Sequence, residues 1–350
     1  MKGRSSRLAF RENELPRTHL VTAFCVGLAL ASGAPVAPAE AQEIKISHQW
    51  KQNTDERDKA TRLFVQEVNK REPGLKFRIY PSGSLIAKPV TQIDALQNGS
   101  LEMSVYPLVY ATGKVPEFSI TILPGAYRSI DQAVKLKGTP FYDELQKLCE
   151  KNGIRIVTWW WTPGGFASKT RAIAGPETVK GLSMRAADPT FEFMLKAAGA
   201  SIQSMPSTEI YPALQSGVLD TVMTSDESFV SMRIYEQTKY ATAGGDYTIF
   251  LLLQPLIMAK SAWDKLTPAQ QKAFEEAAAI SEKAFNENQK EVAKKMTETF
   301  RKAGNEVRSL TKAEYDEWVA LAKKTSWKEF EGISDNAKRL LAALEKSSGS

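Results

Sequence analysis

The 350-residue chain is poor in the side chains on which most enzyme chemistry depends, holding two histidines, His19 and His48, and two cysteines, Cys25 and Cys149. So few exclude a disulfide framework and a His/Cys zinc site. Also absent are a Gly-x-Ser-x-Gly elbow, a glycine-rich phosphate loop ending in Lys-Ser/Thr, a His-Glu-x-x-His pair and a Cys-x-x-Cys, which removes the commonest hydrolase, nucleotide, metalloprotease and redox signatures. Long apolar runs are missing too. The longest, Leu20 to Ala31, is about a dozen residues, short of the roughly 20 that span a bilayer. One catalytic arrangement escapes this elimination, because two carboxylates for glycoside hydrolysis need only meet in space.

What remains is an ordinary globular composition, 43% hydrophobic and 25% charged, long enough for two sizeable cores. The N-terminus reads as a secretion signal. Lys2, Arg4, Arg7, Arg11 and Arg17 precede the apolar run, and Ala39-Glu40-Ala41 offers small residues at the cleavage spacing, so residues 1–41 are expected to be removed. The mature chain would be periplasmic, keep one histidine, His48, and one cysteine, Cys149, and carry a net charge of +4 after losing five Lys/Arg and three Asp/Glu. That charge is too small to argue for nucleic acid. Cys149, on an amphipathic stretch around Phe141 to Lys151, is expected to be a buried small hydrophobe.

Alternation over Glu43 to His48 predicts a strand. A helix follows from a cap at Asn53 or Thr54 to Pro73-Gly74, then a strand over Leu75 to Tyr80 and a helix carrying Val90, Ile93 and Leu96. This β-α-β-α order predicts an α/β sheet. Ala95-Leu96-Gln97-Asn98-Gly99-Ser100-Leu101-Glu102 reappears as Ala213-Leu214-Gln215-Ser216-Gly217-Val218-Leu219-Asp220, identical at five of eight positions. Each copy ends a helix at a left-handed glycine and starts an apolar strand. A Leu-x-x-Arg strand precedes each, at Leu75 to Arg78 and Leu182 to Arg185, which suggests two lobes of similar plan. Pro255 within Ile249 to Ala259 marks a bend and a crossover between lobes. Thr267-Pro268 opens a helix running to Gly304, over 50 Å long at 1.5 Å per residue, enough to brace both. The expected boundaries are 42–164 with 250–290 for lobe 1, and 165–249 with 291–350 for lobe 2.

Candidate ligand groups cluster at strand ends. Trp159-Trp160-Trp161 precedes Thr162-Pro163-Gly164-Gly165-Phe166, and because neighbouring strand positions point to opposite faces, at least one ring is expected to reach a surface or cleft. Arg185 ends the strand Gly181 to Arg185, where α/β sheets present ligand groups. Its planar fork suits a carboxylate, although a structural pair with Asp188 explains the spacing equally well. His48 lines a cleft or packs as a hydrogen-bonding residue.

Lys180-Gly181-Leu182-Ser183-Met184-Arg185, Ala198-Gly199-Ala200 and Met205-Pro206-Ser207-Thr208-Glu209-Ile210-Tyr211-Pro212-Ala213-Leu214-Gln215-Ser216-Gly217 closely resemble the central signature of the solute-binding proteins of tripartite ATP-independent periplasmic (TRAP) transporters. Tyr80 to Leu85, Ala95 to Glu102 and Ala262 to Thr267 extend the resemblance over the mature chain. It implies an α/β, two-lobed periplasmic binding protein fold (type II-like) with hinge strands and a lobe-spanning helix. It also implies closure on a small carboxylate without any cofactor, and delivery to ion-gradient-driven membrane permease subunits. The family's carboxylate-gripping arginine matches Arg185, and its polar ligand groups match Thr224 and Asp188. Where sialic-acid-type members carry a second arginine, twenty positions earlier, this chain has Gly165, next to Phe166. It has Pro107 beside Tyr106 at the family's pocket acid, and Met223-Thr224 at its acid-amide pair. With Trp160 and Trp161 added, these departures predict a monocarboxylate of low polarity or aromatic body, since sugar hydroxyls buried without partners cost about 1–3 kcal/mol each. A monomer is expected, with a dimer left open. A sensory or ABC-type binding protein for a small acid and, further off, a secreted hydrolase are the alternatives.

Overall fold

The structure, a computed structural model, describes residues 43–348. The expected signal peptide, residues 1–41, lies outside them. Among the described residues there are two sheets. The first has the order β2-β1-β3-β11-β4 and the second β12-β9-β5-β8-β6-β7, with β10 pairing to β5. Strands of the first sheet are β1 (Glu43–Ser47), β2 (Lys76–Tyr80), β3 (Met103–Val105), β4 (Ile154–Ile156) and, after a return, β11 (Leu256–Ala259). The second takes β5 (Trp161–Ser168), β6 (Ser183–Ala186), β7 (Ser201–Ser204), β8 (Thr221–Ser225), β9 (Tyr240–Ala243), β10 (Phe250–Leu253) and β12 (Glu306–Ser309).

The two lobes share a plan. β1 lies parallel between β2 and β3, and β6 lies parallel between β7 and β8. The Ala-Leu-Gln helices that lead into β3 and β8 end at Gly99 and Gly217, with φ of 77° and 80°, a conformation that only glycine adopts without strain. The two Leu-x-x-Arg strands, by contrast, are not counterparts: Leu75 to Arg78 leads into the edge strand β2, whereas Leu182 to Arg185 leads into the central strand β6. The topological partner of β6 is β1.

The chain passes from the first sheet to the second between β4 and β5, returns between β10 and β11 at Gln254-Pro255, and passes to the second sheet again between β11 and β12. Phe250–Leu253 pairs antiparallel with Trp161–Gly164, so both segments belong to the second sheet rather than to lobe 1. Helix Asp335–Ser348 packs on helix Pro140–Lys151 of lobe 1, although it follows segments that pack on lobe 2. The predicted long helix is Pro268–Lys302, opened by a capping box of Thr267 and Gln270. Its Phe274 meets Phe64 of lobe 1 at 5.4 Å, and its Phe300 meets Phe229 of lobe 2 at 5.7 Å. It also grips the crossover: Glu282 Oε1 accepts the Trp159 N–H at 2.7 Å and Asn286 Oδ1 accepts that of Trp161 at 3.0 Å. The helix therefore ties both lobes to one point of the hinge.

Candidate functional site

The C-terminal ends of the parallel strands β6 and β8 open on the crevice between the lobes, as α/β sheets dictate. There Arg185, Ala187, Thr224, Ser225 and Ser228 of lobe 2 face Val109 and Tyr110 of lobe 1, with Phe250, Leu252 and Gln254 closing the hinge side. They line a narrow cavity with room for roughly one water. The lobes are closed on each other.

Arg185 is the charge in this cavity. It is 2% exposed, donates from Nε to Met205 O at 3.0 Å and from Nη1 to Met223 O at 2.8 Å, and meets the Tyr110 phenol. Among the described residues it forms no ion pair. Burial lowers its pKa, while Tyr110 and Asp188 act in the opposite sense. A buried cation held by neutral groups alone carries a desolvation cost that an anion offsets.

The mouth is closed by a three-residue cluster. The Ser207 N–H donates to Tyr110 Oη at 3.0 Å, the two hydroxyls lie 3.2 Å apart, and Gln49 Nε2 donates to Ser207 Oγ at 3.3 Å. Gln49 and Tyr110 come from lobe 1 and Ser207 from lobe 2, so the contact exists only in the closed form. Two further cross-lobe contacts lie behind it. Arg57, fully buried and paired bidentately with Asp55 at 2.7 Å, reaches Ser228 Oγ of lobe 2 at 3.3 Å and Gln254 Oε1 at the crossover at 2.9 Å. The Glu56 N–H donates to Glu227 Oε1 at 3.1 Å, and burial, reinforced by Asp55, pushes the Glu227 carboxyl up to about 7.

The expected site residues are distributed unevenly. Arg185 and Thr224 line the cavity. Asp188 is a helix cap instead, its Oδ1 accepting from Thr190 Oγ1 at 2.7 Å and from the Phe191 N–H at 3.2 Å, and burial lifts its carboxyl to about 6. Tyr106 packs edge-on to Tyr110 and bonds Val90 O, one layer behind the wall. His48 is buried with Nε2 3.2 Å from Asp58 Oδ1 and Nδ1 accepting the Trp50 N–H, so it is the hydrogen-bonding residue of the two readings. Gly165 has no space for a side chain, because a Cβ there would stand 1.8 Å from Thr242 O. Phe166 stacks on Trp318.

The three tryptophans correct the expectation that one would reach a cleft. All are at most 1% exposed. Trp160 packs on Phe285, whereas Trp159 and Trp161 pack on each other and on Tyr142 and Tyr127. Opposite faces of this crossover meet two different cores, so consecutive rings are hidden without touching the cavity. Tyr110 and Gln254 went unread in the sequence. The signal for Gln254 was present, a lone amide inside the apolar run Phe250 to Ile257.

The sequence profile of the bacterial extracellular solute-binding proteins, family 7, matches residues 46–332. A solute-binding protein of Albidiferax ferrireducens is 37% identical over 327 residues, covering 91% of this chain and 96% of that one. The chain belongs to this family, the solute-binding proteins of TRAP transporters. The crystal structure of a TRAP periplasmic solute-binding protein from Rhodoferax ferrireducens with bound malonate is 36% identical, with a TM-score of 0.85 over 87% of this chain and 98% of that chain. The C4-dicarboxylate-binding periplasmic protein DctP of Rhodobacter capsulatus is 28% identical over 295 residues, covering 83% of this chain and 87% of that one. A wider groove mixes Arg128 and Lys290 with Asp131 and Asp246, so for a TRAP receptor of acids it offers no unbalanced charge.

Proposed function

We propose that this TRAP solute-binding protein captures a small, compact organic carboxylate in the cavity around Arg185 and delivers it to the membrane permease subunits. The supporting observation is Arg185 itself, buried, positively charged and without an acidic partner among the described residues. In the open form the carboxylate meets Arg185 on lobe 2. Closure then brings Tyr110 and Gln49 across the mouth and removes the ion pair from water, where it strengthens. The low-polarity or aromatic body anticipated from the sequence rested on the departures at Gly165, Pro107 and Met223-Thr224 together with Trp160 and Trp161, and the two rings pack elsewhere. A cavity this narrow, with walls of Val109, Phe250 and Leu252 beside Thr224, Ser225 and Gln254, favours a short, compact acid. The malonate carried by the relative from Rhodoferax ferrireducens is a short acid of this kind. Residues 1–41 serve as the secretion signal in this reading, and the mature chain works as a periplasmic monomer.

A thermal-shift screen over organic acids tests the proposal, since a ligand at 100 times its Kd adds about 2.7 kcal/mol of stability. Shifts with short carboxylates are expected. Shifts only with sugars or amino acids would overturn it.

A further inference from the structure

We infer that Gln254 is a second ligand-recognition residue, selecting short monocarboxylates that carry a neutral acceptor, an oxo or hydroxyl oxygen, over dicarboxylates. The inference rests on the reading that Arg185 grips one carboxylate. Gln254 lies at the crossover, 3% exposed, and lines the same cavity. Arg57, a donor only, fixes its amide orientation with Nη1 2.9 Å from Oε1, while Thr162 Oγ1, with a single proton to give, lies between Oε1 at 3.2 Å and Leu252 O at 3.3 Å. A flipped amide would set its N–H groups against the Arg57 guanidinium, so Nε2 points away from Arg57. Among the described residues Nε2 makes no hydrogen bond, and it is not one of the enclosed polar atoms that lack a partner, so it borders open space. Thr224 Oγ1 is in the same condition, beside Arg185.

The cavity therefore offers one cation and two neutral groups with hydrogen bonds to spare, the hydroxyls of Tyr110, Ser207, Ser225 and Ser228 being engaged with one another. Arg57 does not supply a second cation, because Asp55 neutralises it through two bonds of 2.7 Å. Asp188 adds negative charge close enough to act on Arg185. A second carboxylate would be buried against an amide and a hydroxyl with no counter-charge, which is costly. An oxo or hydroxyl oxygen accepts from the Gln254 amide at no such cost.

The test is calorimetry with pyruvate, lactate, propionate and malonate on wild type, Gln254→Met and Gln254→Glu. Pyruvate and lactate should bind wild type roughly tenfold or more tighter than propionate and malonate, the weight of about one hydrogen bond. Gln254→Met should compress the pyruvate-to-propionate ratio to within about threefold. Gln254→Glu, which keeps an acceptor for Arg57 and Thr162 but loses the donor, should lower pyruvate affinity further. Malonate binding as tightly as pyruvate, or a ratio unchanged in both variants, would overturn the inference while leaving the Arg185 reading intact. Failure of all four acids to bind wild type would instead sink that reading and this inference with it.

Discussion

Replacing Arg185 with methionine separates a ligand grip from a structural strut. The substitution keeps most of the aliphatic volume and removes a cation buried to 2% exposure. In the unliganded protein two effects oppose. Met205 O and Met223 O each lose a charged donor, at about 1–3 kcal/mol apiece, whereas relief from burying an unpaired charge returns several kcal/mol. The thermal midpoint should thus change little, by the equivalent of about 2 kcal/mol or less in either direction. Binding has no such compensation, because the ligand carboxylate would be buried with no cation. Truncating a desolvated charge pair costs about 2–5 kcal/mol, or roughly 30- to several thousand-fold in Kd. Calorimetry with whichever acid gives the largest thermal shift measures the loss, and melting curves monitor the fold. If Arg185→Met bound that acid within threefold of wild type, or lost affinity only in proportion to a collapse in stability, the arginine would be a strut.

Three further outcomes are expected. Glu227 has its carboxyl near 7 in the closed form against an ordinary 4.5, and it faces Asp55, Glu56, Arg57 and Lys59 of lobe 1 with Asp226 as its own neighbour; opening separates it from lobe 1. Closure should then take up a proton, so affinity is highest at acid pH, falls as pH rises from about 5 to about 7 by roughly one to two orders of magnitude, and levels above. Glu227→Gln should flatten the profile, and a wild-type affinity that rises with pH would contradict this. Gly165→Ala forces a Cβ to within 1.8 Å of Thr242 O and should cost about 3 kcal/mol or more; Gly113→Ala, with nothing within 4 Å, is the control, and equal melting points for the two would refute the close approach. Trp160→Ala should lower stability by about 3–5 kcal/mol and leave the ranking of ligands unchanged, whereas a stable variant with altered ranking would return the ring to the ligand.

Local signals carried most of the fold. Thr267-Pro268 marked the start of the long helix because capping and a preset φ act within one turn, and Gly99 and Gly217 marked helix ends for the same kind of reason. The cap of helix Glu56–Arg71 fell at Asp55, one or two residues beyond the expected position, as helix ends commonly do. Arg185 lines the cavity, but its strand end alone left a pair with Asp188 equally open, and the family resemblance carried its reading as a ligand group. The tryptophans misled because alternation tells which face a ring takes, not whether that face is wet; at a crossover between lobes both faces are dry. Gln254 and Tyr110 were missed because their roles depend on contacts nearly 200 and 100 positions away in the chain, with Arg57 and Ser207.

The shared plan of the two sheets has a kinetic consequence. β1 and β6 hold equivalent central positions, yet the cavity's cation stands on β6 alone, while lobe 1 brings the tyrosine and the amide of the mouth. On the proposed reading, lobe 2 brings the charge that meets the anion and lobe 1 the groups that close over it. Changes at Tyr110 or Gln49 would act on how long the ligand stays, and changes at Arg185 on both its arrival and its stay. A permease subunit that pulls lobe 1 away would free the solute without touching the residue that first drew it in.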